Sequence, residues 1–537
     1  MLNKNHLHPA LPFSFIFLFI SAPLDAQNAD ALFQHSENCI ACHSHNTSQS
    51  GEDISIGYSW RASMMANSGR DPYWHAGVRR EAMDHPQFQA AIEDKCSTCH
   101  MPMARYHAHQ RGGMGEVFSN LAGTNPESHL ALDGVSCSVC HQIRPDNFGT
   151  RDSFEGGFVV DNTTPLDQRA AYGPYDIDKG RQRIMQSSAA FTPTTGTHIQ
   201  QSELCGTCHT LYTQSLDKNG NIAGELPEQM PYVEWLHSSY RETNSCQSCH
   251  MPEVNEPARI SSVVGEYRDN VNRHVFRGGN AFMIGLFAKN RNALGINATV
   301  AELEQTALRT REYLASSSAR VDILNASMTG TTLAFVVSVT NLGGHKLPTA
   351  YPSRRAWLHV TIKDAAGNTV FESGAFNSDG SITGNDNDAN GNTYEPHYEV
   401  ITSPDQVQVY ESVMADSENN LTTGLLYGVR YIKDNRLLPA GFDKATVPED
   451  VAVFGGALAD RNFNDAGDRV SYRIEVPGNA GAYTVSAELN YQSIGFRWAE
   501  NLKQYDAAEP ARFVSLYRDN AADSRMRLAG AEIRVSD

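Results

Sequence analysis

Cys39-Ile40-Ala41-Cys42-His43 is the first of five copies of one pattern. The others are Cys96-Ser97-Thr98-Cys99-His100, Cys137-Ser138-Val139-Cys140-His141, Cys205-Gly206-Thr207-Cys208-His209 and Cys246-Gln247-Ser248-Cys249-His250. Together they use all ten cysteines of the 537-residue chain. Two thiols three positions apart can reach both vinyl groups of one porphyrin, and the next residue offers an imidazole to its iron. The pattern therefore predicts five covalently attached c-type haems. Each cysteine forms a thioether, and His43, His100, His141, His209 and His250 bind iron. Disulfides suit an exported chain but require no histidine after each pair. Zinc knuckles leave that histidine equally unexplained.

The segment 1–26 reads as an export signal. Its apolar run from Leu11 to Ala22 is too short to span a bilayer, and small residues mark a cleavage site. No later stretch is apolar enough to cross a membrane. Haem attachment belongs outside the bacterial cytosol, so the expected location is the periplasm or the outer surface of a Gram-negative bacterium. A formal net charge of -18 disfavours nucleic acid and anionic lipid. The expected partners are redox proteins, either other cytochromes or a quinol-linked donor, with self-assembly as a further expectation.

The composition predicts a multidomain α+β chain. Residues 27–290 hold all five motifs among short polar loops, and read as a haem domain of short helices and loops wrapped around porphyrin. Residues 291–318 connect the two halves. There Thr299-Val300-Ala301-Glu302 matches a capping box, and apolar residues at helical spacing predict a helix from Val300 to Ala315. From 319 to 537 the period switches to two. Leu358, Val360 and Ile362 form one alternating set, and Val485, Ala487, Leu489 and Tyr491 another. This predicts an antiparallel, immunoglobulin-like β-sandwich. The segment from Asn377 to about Phe463 lacks clear strands and is expected to form long loops.

The group on the far side of each iron decides whether that haem is closed or open to a substrate. Of the 20 histidines, five are proximal and two lie in the export signal. His274 follows the last motif among glycines that permit close approach to a ring. His129 and His198 precede the third and fourth motifs closely. These three are candidate distal ligands, and His107 or His109 is a candidate for a neighbouring site.

The motif-bearing half resembles the multihaem c-type cytochromes that include the tetrahaem cytochromes of ammonia oxidation. In that group a Trp-x-x-Ser-x-His segment supplies a distal histidine. Trp60-Arg61-Ala62-Ser63-Met64-Met65 places methionine at the last position, and Trp235-Leu236-His237-Ser238-Ser239-Tyr240 places tyrosine there. The resemblance therefore makes Met65 a candidate ligand. Gly344-His345-Lys346-Leu347-Pro348 is similar to a segment of exported multihaem proteins with such a C-terminal half. That similarity implies that His345 reaches back to cap a haem.

Asp386, Asp388, Asn390 and Gly391 match the opening of a calcium loop, with His397 where a carboxylate is expected. His359 lies on the polar face of its strand and reads as solvated. The leading functional expectation is an exported electron carrier. Its rivals are an oxidoreductase acting on a small nitrogen or sulfur compound at one open haem, and a subunit of an extracellular cytochrome filament. Pentahaem nitrite reductases typically replace one attachment histidine with lysine, and all five motifs here keep histidine.

Overall fold

The computed structural model describes residues 32–478 and 481–536; the export-signal expectation lies outside them. The motif-bearing half is built of short helices. The longest begins where Asp71 accepts hydrogen bonds from the Tyr73 and Trp74 amides and Pro72 fills the first turn (α1, Pro72–Asp84). The second motif ends the next helix (α2, Gln89–His100), and α3 (Pro102–Gln110) follows. Further on come α4 (Lys179–Ala189), a hairpin of β1 (Leu211–Leu216) and β2 (Ile222–Gln229), and α5 (Pro231–Leu236). Buried apolar residues in this half fall into small separate clusters. A close-packed protein needs a filled interior, and side chains alone do not supply one here.

An apolar helix, α6 (Ala281–Lys289), leads to α7 (Val300–Ser317). Both halves of the predicted capping box are present at Thr299 and Glu302. The Glu302 carboxylate also accepts from Arg61 Nε at 2.9 Å. Helix α7 packs on α6 and on strands of the C-terminal half.

Among the described residues, nine strands of the C-terminal half form two sheets. One runs β6 (Thr369–Ser373), β5 (Arg355–Lys363), β12 (Ala482–Gln492), β13 (Arg525–Ser536), with β8 (Val409–Tyr410) also paired to β5. The other runs β7 (Val400–Ile401), β11 (Gly467–Glu475), β4 (Thr332–Asn341), β3 (Ala319–Thr329). Only the short β7–β11 pair is parallel. Leu358, Val360 and Ile362 face one core shared with Leu333, Phe335, Val337 and Val470 of the other sheet. His359 stands on the opposite face of β5, part-buried between Glu372 and Glu488.

Two parts of this half differ from expectation. The segment 377–463 is mostly loop, as expected, but not wholly so. It holds β7, β8 and a further small sheet around β9 (Ser412–Ala415) and β10 (Arg430–Asp434). The loop leading into β10 lies against the motif-bearing half: the Leu425 amide donates to Glu81 at 2.8 Å, and Arg80 donates to Thr423 at 2.7 Å. Strands this short leave no periodicity to read. A helix, α8 (Ala508–Asn520), is also inserted between β12 and β13 and docks on α1 through the Arg79–Glu509 pair. Among the described residues, no helix is long and apolar enough to cross a membrane.

Candidate haem-binding site

Each motif sits on or at the end of a helical turn, which puts its two cysteines on one face with the histidine following. Both cysteines and the histidine of all five motifs line one continuous cavity of about 1180 Å³. All ten thiols are free. Burial pushes the Cys140 thiol up to about 12 and raises Cys96 as well. Neither is the low-pKa thiolate that dithiol redox chemistry requires.

The thiols also order the sites in space. Cys39 meets Cys137, Cys99 meets Cys208, and Cys205 meets Cys246. Cys140 interacts with Cys208. The first site therefore adjoins the third, the third adjoins the fourth, and the fourth also adjoins the second and the fifth.

Four of the five motif histidines are oriented by backbone carbonyls. Nδ1 of His43 donates to Ile260 at 2.6 Å, His100 to Ser68 at 3.2 Å, His141 to Tyr172 at 2.6 Å and His250 to Arg277 at 2.5 Å. A carbonyl only accepts, so each bond puts the proton on Nδ1 and leaves the Nε2 lone pair for a metal. Metal-binding histidines characteristically have such a partner. Burial lowers the pKa of all five, to about 4 for His100 and His250, which keeps the imidazoles neutral. Neutral imidazole is the ligating form. Among the described residues His209 has no such Nδ1 bond.

Two predicted distal histidines face motif histidines. The rings of His141 and His274 are 6.3 Å apart and 14° from parallel; those of His250 and His345 are 6.2 Å apart and 22° from parallel. With metal–imidazole bonds of about 2.0–2.1 Å, as for zinc, two rings on opposite sides of one ion have centres roughly 6 Å apart. His274 and His345 line the cavity, and their Nδ1 atoms bond the carbonyls of Asn272 (3.2 Å) and Lys346 (3.0 Å). Met65 lines the cavity too.

The other candidates are placed elsewhere. His198 gives Nε2 to the Ile143 carbonyl at 2.9 Å and lies outside this cavity. His129 is exposed and lies parallel to His35, a residue the sequence reading passed over. His107 uses both ring nitrogens, on the Leu32 amide and on Glu127, and His109 bonds Asp94. In the segment expected to form a calcium loop, Asp388 accepts from Arg355 with both carboxylate oxygens, at 2.7 and 2.9 Å. His397 sits beside Asp460 and Asp468 in the sandwich. Its Nδ1 accepts from Gln408 and Asn435, so Nε2 carries the proton and faces Asp460 at 3.2 Å. That is a closed hydrogen-bond network.

The two tryptophan segments serve equivalent local purposes. Trp60 Nε1 donates to the Val135 carbonyl at 3.0 Å, two residues before Cys137. Trp235 Nε1 donates to the Asn244 carbonyl at 2.9 Å, two residues before Cys246. Tyr240 donates to the Leu342 carbonyl at 2.8 Å, in the loop that carries His345.

The chain shares its fold with a pentahaem cytochrome. The penta-heme cytochrome c552 from Thermochromatium tepidum superposes over 94% of this chain and 100% of its own, with a TM-score of 0.52 and 16% sequence identity. No family model and no curated protein matches the sequence. The residues present fit c-type haem on their own chemistry. Beyond thiols and neutral imidazoles, the cavity wall includes the buried hydroxyls of Ser136, Tyr491 and Ser493, which have no hydrogen-bond partner. Arg181, Arg268, Arg277 and Arg354 line the same wall. Hydroxyls and guanidinium groups are what porphyrin carboxylates require.

Proposed function

We propose that this chain is an exported pentahaem cytochrome that carries electrons between redox partner proteins. The observation that carries the reading is the convergence of all ten cysteines and all five motif histidines on one cavity. Haem c supplies reversible one-electron chemistry, at a potential set by its axial ligands and surroundings. The chain holds each group by its cysteine pair and motif histidine. We assign His274 and His345 as the residues that would share an iron with His141 and His250. His345 belongs to the C-terminal half, which we read as an immunoglobulin-like sandwich that closes the cavity. The contiguous order of attachment sites suits a carrier, because no site stands apart from the others. Reductive titration of the purified protein tests the reading. Five one-electron equivalents taken up reversibly, and passed on to an added cytochrome, support it; a protein that neither takes up nor returns electrons contradicts it.

A second reading, a redox enzyme acting on a small nitrogen or sulfur compound, is favoured by one observation. Among the described residues, no imidazole is paired with His43, His100 or His209 in the way His274 and His345 are paired. Tight cyanide binding to the resting protein, with a change in its visible spectrum, would favour the enzyme.

A further inference from the structure

His345 stands in the turn between β4 and β5, and the residues next to it are anchored by charge. The Lys346 amide donates to Glu234 Oε2 at 3.1 Å, and the Thr349 hydroxyl donates to the same oxygen. Glu234 belongs to α5 of the haem half, twelve positions before Cys246. Its other oxygen lies 3.0 Å from Arg436 Nη1. Arg436 bonds Asp434 through Nε (2.8 Å) and Nη2 (2.6 Å), and Lys346 Nζ closes the circuit on Asp434 at 2.7 Å. Lys346 and Glu234 are 0% exposed, Asp434 3% and Arg436 8%. Two cations and two anions are thus matched inside the protein, one anion from the haem half and the rest from the C-terminal half.

Removing four charges from water is costly, and a well-packed apolar substitute of similar shape is often no less stable. What such a network supplies is a single geometry: both oxygens of Asp434 and Oε2 of Glu234 have directed donors, and Glu234 Oε1 faces the Arg436 guanidinium. The residue whose geometry it fixes is the neighbour of Lys346. Tyr240 and Trp235 hold the other arm of the turn, packing so closely on Gly344 that a Cβ there would come within 3.3–3.4 Å of both.

We propose that Glu234 and Lys346 are positioning residues that clamp the His345 turn to the haem half and so fix the coordination of the fifth attachment site. This rests on the assignment of His345 as the partner of His250. The network joins the two halves beside one attachment site, so disturbing it acts on one of five sites.

The test uses the holoprotein, with electron paramagnetic resonance to count low-spin irons, potentiometry, and amide exchange of residues 342–349. His345→Ala comes first, as the control on the underlying assignment. It should convert one iron from low to high spin, and an unchanged spectrum overturns the assignment itself. Glu234→Ala should retain five haems, shift the signal and potential of that same iron only, and speed exchange of the turn by about tenfold or more. Glu234→Gln, which keeps an oxygen for Lys346 and Thr349, should recover much of the native signal. If His345→Ala acts but Glu234→Ala leaves the signal, potential and exchange native, the positioning role is overturned while the assignment stands. Should Glu234→Ala not accumulate, Thr349→Val decides. It removes one bond to Glu234 at constant shape, and is expected to speed turn exchange with the other four irons unchanged; native exchange and potential count against the clamp.

Discussion

The imidazole rings of His141 and His274 lie 6.3 Å apart and 14° from parallel. One belongs to the third cysteine motif and the other follows the fifth, so a pairing across 133 positions of chain joins the middle of the motif-bearing half to its C-terminal end. Replacing His274 with alanine is expected to convert one low-spin iron to high spin. His198→Ala is expected to leave the spin count intact, since its Nε2 is bonded to the Ile143 carbonyl. Low-temperature paramagnetic resonance of the two variants checks both outcomes.

Trp60 and Trp235 each hold the backbone just before a motif. Phenylalanine preserves most of the ring and removes the donor, leaving a carbonyl unpaired. Each substitution is expected to cost about 1–2 kcal/mol. Trp60→Phe should perturb the third site and Trp235→Phe the fifth, seen as lowered thermal midpoints with spectral changes at different irons.

Leu358 is fully buried in the core shared by the two sheets. Leu358→Ala is expected to cost about 2–5 kcal/mol through lost transfer energy and a cavity. Haem content should stay at the wild-type level, because attachment depends on the other half. Thermal unfolding paired with a haem assay separates the two effects.

Acid stability should depend on Asp434. Burial alone would raise its pKa, but Arg436 and Lys346 outweigh burial and hold it at about 2, below the ordinary 3.8. A carboxylate depressed in the folded state contributes stability that is complete above pH 3.8 and is lost as pH falls towards 2. Wild type should therefore lose stability more steeply than Asp434→Asn across that window. Urea unfolding at fixed pH values measures the difference.

The cysteine and histidine clusters on the cavity wall were legible because their pattern is local: five residues in a row state which thiols and which imidazole belong together. The alternation of Leu358, Val360 and Ile362 gave one strand of the core for the same reason, and the capping box at Thr299 placed its helix. The ring pairings with motif histidines are long-range, and proximity to a motif does not predict them. His129 and His198 are close in sequence yet turn elsewhere, whereas His345, nearly a hundred residues past the last motif, enters the cavity. The carbonyls that orient the motif histidines have no side-chain signature at all. Some signals were present and passed over. Phe513, Leu516 and Tyr517 have helical spacing and form part of α8. The strands between 400 and 434 are two to five residues long, too short for an alternating pattern to stand out.

Intact-mass measurement of the mature protein, with a haem assay after extraction in acidified acetone, bears most directly on the central claim. The expected result is a polypeptide carrying five haem groups, with its pigment retained through extraction. A mass equal to that of the bare polypeptide, or pigment released into the solvent, would contradict covalent attachment at the five cysteine pairs.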